Sequence, residues 1–226
     1  EIQAFFFHPN RINFFAPFSI PGLGSNLAPL NQQIALSHTS VPPSQFATFL
    51  SNHDQNRVIS QLGGSPQEAM LAASLLLTAP GAPFLYYGEE IGMLGQKPNV
   101  ENETGDPDSI LSHYRDLILI RSQHAALRVG DLSVLTTGNN ALYGILRVSQ
   151  QEAVLVLVNL SGSPVSSYAL SAAQSSLAEG SYTPYPILGE GDFAPLTTGA
   201  SGGFSAYIPL PEIPPYATII LQLNAP

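Results

Sequence analysis

The feature that most constrains the fold is a strand–loop–helix–strand pattern in the first half of the chain. "FATFL", residues 46–50, is a continuous apolar run, which is typical of a strand buried on both faces. "SPQEAMLAASLLLTA", residues 65–79, predicts a largely buried helix with Ser65 as N-cap and Glu68 as its capping-box partner. "FLYY", residues 84–87, is a second apolar run. This order predicts a βαβ unit with two parallel strands.

Polar side chains follow each of these two apolar runs. Glu89 and Glu90 come after the second run, where they suit metal binding, catalysis or capping of backbone amides, and a structural role is favoured. Because ligands bind at the carboxyl ends of parallel strands, both clusters are expected at one rim. The first cluster suits contacts to sugar hydroxyls and stabilisation of positive charge, or equally an Asx-turn with solvated charges: Asn52, His53, Asp54 and Arg57.

Composition excludes several classes of partner. Only 10% of the 226 residues are charged, against about 25% in a typical globular chain, and the net charge is −9. A chain without a basic stripe does not suit nucleic acid, so neutral polar ligands are favoured. The absence of cysteine excludes disulfides and thiolate metal sites. No apolar run reaches the roughly 18–20 residues of a membrane span, so no membrane partner is expected, and the cellular compartment stays open.

The second half of the chain changes its pattern. "TGDPDSILSHYRDLILIRSQ" predicts a helix that Asp106 caps, with an apolar stripe that includes Leu111 and Ile118. After about Arg128 the apolar period becomes two, which is typical of an antiparallel sandwich. Six strands are expected there: "DLSVLTT", "ALYGILRVS", "AVLVLVNLS", "VSSYALS", "GFSAYIPL" and "YATIILQL". We therefore expect two domains, 1–128 and 129–226.

Two of these segments carry a resemblance to a known family. "FLSNHDQNR", residues 49–57, resembles the fourth conserved motif of the α-amylase superfamily, glycoside hydrolase family 13. "GAPFLYYGEEIGM", residues 81–93, resembles that family's final barrel-strand segment, and the two occur in family order. The resemblance implies the C-terminal part of a TIM-type (β/α)8 barrel, followed by an antiparallel Greek-key β-sandwich domain. It also implies activity on α-linked glucose units with retention of configuration.

The resemblance assigns roles to the first cluster. Asp54 matches the carboxylate that favours the distorted, oxocarbenium-like state, and His53 matches a histidine that hydrogen-bonds a sugar hydroxyl. Arg57 matches a position that some members use for substrate contact or charge partnering, and Asn52 is also expected to contact substrate. The family's nucleophile and acid lie in motifs that do not occur here, so the chain is expected to be an inactive fragment of a retaining α-glucan hydrolase or transglycosylase. The missing N-terminal part of the same protein is then an expected partner.

The resemblance and the residues leave other points open. No cofactor is evident, and calcium stays open for a longer parent protein. The family's Trp-containing loop is absent near Pro98–Val100, where omitted residues are favoured over a true deletion. The alternatives are a non-catalytic amylase-like subunit and a carbohydrate-binding module. A module of the latter kind would stack sugars on tyrosines instead of tryptophans, with four candidates: Tyr143, Tyr182, Tyr185 and Tyr207.

Overall fold

The computed structural model describes residues 47–52, 57–94 and 109–225. Its helices are α1 (Val58–Gln61), α2 (Pro66–Thr78), α3 (Ile110–Gln123) and α4 (Ala125–Val129). Its strands are β1 (Ala47–Thr48), β2 (Ala82–Pro83), β3 (Asp131–Val134), β4 (Leu142–Val148), β5 (Ala153–Asn159), β6 (Leu170–Ala172), β7 (Gly180–Leu188), β8 (Leu196–Thr198), β9 (Phe204–Tyr207) and β10 (Thr218–Asn224). None of the described helices is long and apolar enough to cross a membrane.

The predicted βαβ unit is present, with shorter strands than the apolar runs suggested. β1 and β2 pair in parallel, and α1 and α2 lie between them in the chain. The prediction that "FLYY" forms the second strand was wrong, because β2 ends at Pro83 and residues 84–87 are not in a strand. A further backbone bond, from the Phe84 N–H to the Thr48 carbonyl (2.7 Å), continues the pairing. Among the described residues this sheet has two strands, β1 and β2.

The long helix of this unit begins as the sequence predicts. Ser65 is the N-cap of α2, and its Oγ accepts a hydrogen bond from the Glu68 N–H at 3.3 Å, while Pro66 occupies the first helical position. Nine of its residues are buried, which confirms the expectation of a largely buried helix. The helix therefore packs as the central element of the β1–β2 unit.

Helix α3 begins later than predicted. Its N-cap is Ser109, whose Oγ accepts from the Ser112 N–H at 3.1 Å, so the prediction that Asp106 caps the helix was wrong. Residue 106 itself lies outside the described residues. The buried face also differs slightly, because Ile120 takes the inner position while Ile118 is 44% exposed. The change of cap follows from the later start, since a cap must lie directly before the first helical turn.

The second half forms a six-stranded antiparallel sheet in the order β3–β4–β5–β10–β7–β8, and β6 pairs separately with β9. All six predicted strands are present, but β7 and β8 were not predicted. β7 contains Pro184 and Pro186, which argue against a strand in sequence reasoning. Since β8 pairs only with Gly180–Tyr182, one side of β7 has no described partner at these prolines, and their missing N–H groups are tolerated there.

The large sheet is buried on both faces. Side chains of one face, such as Val156 and Ile220, share a core with α2, α3 and α4. Side chains of the opposite face, such as Leu155 and Leu221, share a second core with the β6–β9 ribbon. The sheet is thus the middle layer between helices and ribbon. The Greek-key connection and the domain boundary at residues 128 and 129 stay predictions.

Two arginines bind the end of α2, one from helix α3 and one from this sheet. Arg121 of α3 donates to the carbonyls of Leu77 (2.8 Å), Ala79 (3.1 Å) and Gly81 (2.5 Å). Arg147 of β4 donates to the carbonyls of Thr78 and Gly130, each at 3.0 Å. Guanidinium groups thereby satisfy the free carbonyls at the negative end of α2. Burial lowers the pKa of each arginine to about 10, which leaves both charged at neutral pH.

Candidate functional site

The polar residues predicted at one rim are brought together where they are described. Asn52 follows β1 and is half-buried, and Arg57 lies directly before α1. Arg57 reaches the segment that follows β2, the parallel neighbour of β1, through a hydrogen bond to Tyr87. The predicted residues His53 and Asp54 lie outside the described residues, so their roles stay predictions.

Arg57 joins the two segments by a hydrogen bond and by its stacking. Its Nη1 donates to the backbone carbonyl of Tyr87. The guanidinium carbon lies 4.3 Å from the centre of the Tyr86 ring and 4.5 Å from that of Tyr87. The two rings meet edge to face at 4.7 Å. Cation–π contacts of this kind hold a buried guanidinium in one orientation, and Arg57 is buried while Tyr87 is 65% exposed.

Glu89 is the buried carboxylate of the site. It is 2% exposed, and its Oε1 accepts a hydrogen bond from the Ser51 hydroxyl, which is itself fully buried. Its Oε2 has no partner within the described residues. Burial raises the pKa of Glu89 from 4.5 to about 7, against the opposing effects of the Ser51 hydrogen bond and the Arg57 charge. The carboxyl therefore titrates near neutral pH.

In the sequence, Glu89 is recognisable only as one of two adjacent acids, and nothing distinguishes Ser51 from other serines. The structure separates the two acids, because Glu89 points into the protein while Glu90 is half-buried. Nothing in the local sequence signals the Ser51–Glu89 contact, since the two residues are 38 positions apart. Only the pairing of β1 with β2 brings them together.

The site offers neutral hydrogen-bonding groups, an exposed aromatic ring and one carboxyl with a pKa near 7. These groups suit a neutral polar ligand better than an ion. In the described ranges 47–52, 57–94 and 109–225, no cluster of three or more His, Asp or Glu side chains suits a metal ion. Calcium in a longer parent protein stays an open expectation.

The tyrosines proposed as sugar platforms in the second half are mostly unavailable. Tyr143, Tyr182 and Tyr207 are buried, and Tyr207 donates its hydroxyl to the Ala194 carbonyl at 2.7 Å. Tyr185 of β7 is 62% exposed. A stacking surface made of several tyrosines was therefore a wrong expectation, because three of the four side chains are packed in the interior.

Comparison with known proteins supports the resemblance. The family profile described as "Alpha amylase, catalytic domain" matches residues 5–98. Alpha-amylase 3 of Dictyoglomus thermophilum is 34% identical over 148 residues, which are 50% of this chain and 30% of that protein. The crystal structure of an α-amylase from H.orenii is 31% identical with a TM-score of 0.57, covering 79% of this chain and 40% of that one. These matches support membership of the α-amylase superfamily.

A further member of the superfamily extends the similarity into the β half. Cyclomaltodextrinase of Geobacillus thermopakistaniensis is 28% identical over 187 residues, or 78% of this chain and 29% of that protein. The chain thus spans less than half the length of these superfamily relatives. The βαβ unit at residues 47–83 is part of the superfamily's barrel, and the sheet-rich half follows it.

Proposed function

We propose that this chain contributes part of the active site of a retaining, α-glucan-active glycoside hydrolase. In this proposal Asp54 stabilises the oxocarbenium-like transition state, while Asn52, His53 and Arg57 contact the sugar bound there. The chain alone is inactive in this proposal, because the family motifs that carry the nucleophile and the general acid do not occur in this sequence. The proposed substrate is an α-linked oligosaccharide or polysaccharide.

The observation that carries the proposal is the meeting of polar groups at the carboxyl ends of β1 and β2. Arg57 contacts the Tyr87 carbonyl and both tyrosine rings, and Ser51, next to Asn52, contacts Glu89. The carboxyl ends of parallel barrel strands are where barrel enzymes bind substrate. The names of superfamily relatives, α-amylase and cyclomaltodextrinase, give the same substrate class.

The proposal makes catalysis depend on groups outside this chain. Retaining glycoside hydrolysis needs a nucleophile and an acid–base residue about 5–5.5 Å apart. Asp54 has neither role, so sugar binding and cleavage are separable here. We therefore expect weak glucan binding without turnover.

A binding assay and a cleavage assay test the two halves of this proposal. The purified chain is titrated with a soluble α-1,4-linked glucooligosaccharide and, separately, assayed for new reducing ends. We expect saturable binding at millimolar concentrations, no cleavage, and at least fivefold weaker binding by Asp54→Asn. The matched control Asp192→Asn changes an exposed acid of the β half and should bind normally.

Either assay can overturn its part of the proposal. Release of reducing ends by the chain would refute the assignment of the missing catalytic groups. Absence of binding, or equal binding by Asp54→Asn, would refute the sugar site.

A further inference from the structure

Two contacts join the segment after β1 to the segment after β2. Upstream, the Ser51 hydroxyl donates to Glu89 Oε1. Downstream, Arg57 donates to the Tyr87 carbonyl and stacks on Tyr86 and Tyr87. Along the chain these contacts lie on either side of residues 52–56. The proposed sugar contacts Asn52 and Arg57 are thus held at two separate points.

The Ser51–Glu89 contact is the more deeply buried of the two contacts. Ser51 is fully buried and Glu89 is 2% exposed, so neither group can exchange its partner for bulk water without local opening. Glu89 lies in a turn that follows β2, in which the Glu89 N–H donates to the Tyr86 carbonyl at 3.1 Å and the Gly92 N–H donates to the Glu89 carbonyl at 3.0 Å. The carboxyl is consequently a fixed acceptor for a side chain on the other strand.

We propose that Glu89 is a positioning residue, which holds Ser51 and thereby sets the orientation of Asn52 toward bound sugar. The inference rests on the proposed sugar site. Glu89 does not touch the sugar in this account. It acts through the Ser51 hydroxyl and the backbone that Ser51 shares with Asn52.

The charge on Glu89 gives this role a measurable signature. The charged or titratable side chains that interact with its carboxyl are Arg57, directly before α1, and Tyr114 of α3, which also senses the Glu90 charge. Burial, with Glu89 and Glu90 adding to it, raises the pKa of Tyr114, so that hydroxyl stays protonated. Near pH 7 the titrating group at this contact is therefore Glu89, whose ionisation changes the hydrogen bond from Ser51.

Three variants of the full 226-residue chain test the role. Glu89→Leu removes the acceptor, Glu89→Gln keeps an acceptor oxygen without a titrating proton, and Glu90→Gln is the matched control at the adjacent carboxyl. Binding of an α-1,4-linked glucooligosaccharide is measured from pH 5 to 9. We expect Glu89→Leu to bind at least fivefold more weakly and Glu89→Gln to bind within about twofold of the native chain at its best pH. Both Glu89 variants, but not Glu90→Gln, should lose the affinity change near pH 7.

A second readout does not depend on sugar. In ¹H–¹⁵N spectra, the Ser51 and Asn52 amides should shift with a midpoint near pH 7 in the native chain and in Glu90→Gln, but not in Glu89→Gln. If Glu89→Leu does not fold, Ser51→Ala removes the same hydrogen bond from the other side and should weaken sugar binding equally.

The outcomes separate this inference from the proposed function. Suppose that the native chain binds no glucan but that the Ser51 and Asn52 amides shift with the ionisation of Glu89. The Ser51–Glu89 contact is then supported, whereas the sugar site and the claim about sugar orientation are both wrong. If glucan binds and Glu89→Leu, or Ser51→Ala in its place, binds normally with the native pH profile, the positioning role is wrong and the sugar site stands.

Discussion

At the scale of single residues, burial gives ordinary polar side chains unusual properties. Glu89 and Arg57 are both nearly inaccessible, yet they do not form a direct ion pair in the structure. Each instead contacts a group on the neighbouring segment. Because Arg57 is engaged by a carbonyl and two rings, it only partly offsets the cost of burying the Glu89 charge. This is why the pKa of Glu89 lies near 7 although a cation is close.

The raised pKa of Glu89 predicts that protein stability falls as the pH rises. The unfolded chain releases this proton near pH 4.5, whereas the folded chain keeps it until about pH 7. The contribution is therefore fully present below pH 4.5 and is lost as the pH rises through 7. A shift of this size corresponds to about 3 kcal/mol at ~1.4 kcal/mol per pKa unit.

Urea unfolding of the native chain and Glu89→Gln between pH 4 and 8.5 measures this effect. The stability of the native chain relative to Glu89→Gln should fall by about 3 kcal/mol over that range, most of it before pH 7. The Glu90→Gln variant serves as the control and should follow the native curve. A constant difference between the native chain and Glu89→Gln at every pH would contradict the prediction.

At the scale of elements, local signals predicted α2 well and β7 not at all. The N-cap, the proline and the apolar content of α2 all act within one helix, so the sequence shows them directly. β7 has two prolines, which locally disfavour a strand. The strand forms because β10 pairs with it through Leu221 and Leu223 opposite Pro186 and Pro184, and that partner lies more than 30 residues away.

The cap of α2 gives a prediction at this scale. Ser65→Ala removes the acceptor for the Glu68 N–H and should destabilise the protein by about 1 kcal/mol. Ser65→Asp keeps an N-cap acceptor and should cost much less. Thermal or urea unfolding of both variants compares them, and an equal loss in both would show that the cap does not stabilise α2.

At the scale of the whole molecule, the sheet is the layer that both cores share. The guanidinium of Arg147 lies in the helical core and links the end of α2 to Gly130, directly before β3. Its hydrogen bonds go to carbonyl oxygens, including one at the negative end of α2, and Asp131 adds a favourable electrostatic interaction. Helices and sheet are thereby joined by directional bonds as well as by apolar packing.

Replacing Arg147 should therefore destabilise the molecule strongly. Arg147→Met leaves the Thr78 and Gly130 carbonyls buried without this donor, and the loss is expected to be about 2–4 kcal/mol. Arg147→Lys keeps the charge but not the two-pronged geometry, so an intermediate loss is expected. The exposed Arg115→Met is the control and should change stability by less than about 0.5 kcal/mol. Chemical unfolding of the three variants tests this order.

The sequence by itself determined the elements whose signals are local. The capped helix α2, the period-two strands and the placement of polar residues after apolar runs were all readable from neighbouring letters. The two motifs "FLSNHDQNR" and "GAPFLYYGEEIGM" also sufficed to indicate the superfamily. The roles of His53 and Asp54 stay predictions that sequence alone supports.

Tertiary structure alone decided which residues meet. The Ser51–Glu89 contact, the stacking of Arg57 on Tyr86 and Tyr87, and the arginines at the end of α2 join groups at least 29 residues apart. Such contacts leave no local pattern, because each partner is an ordinary polar residue in its own segment. The pKa of Glu89 follows from the same cause, since desolvation depends on what surrounds the carboxyl in space and not on its neighbours in the chain.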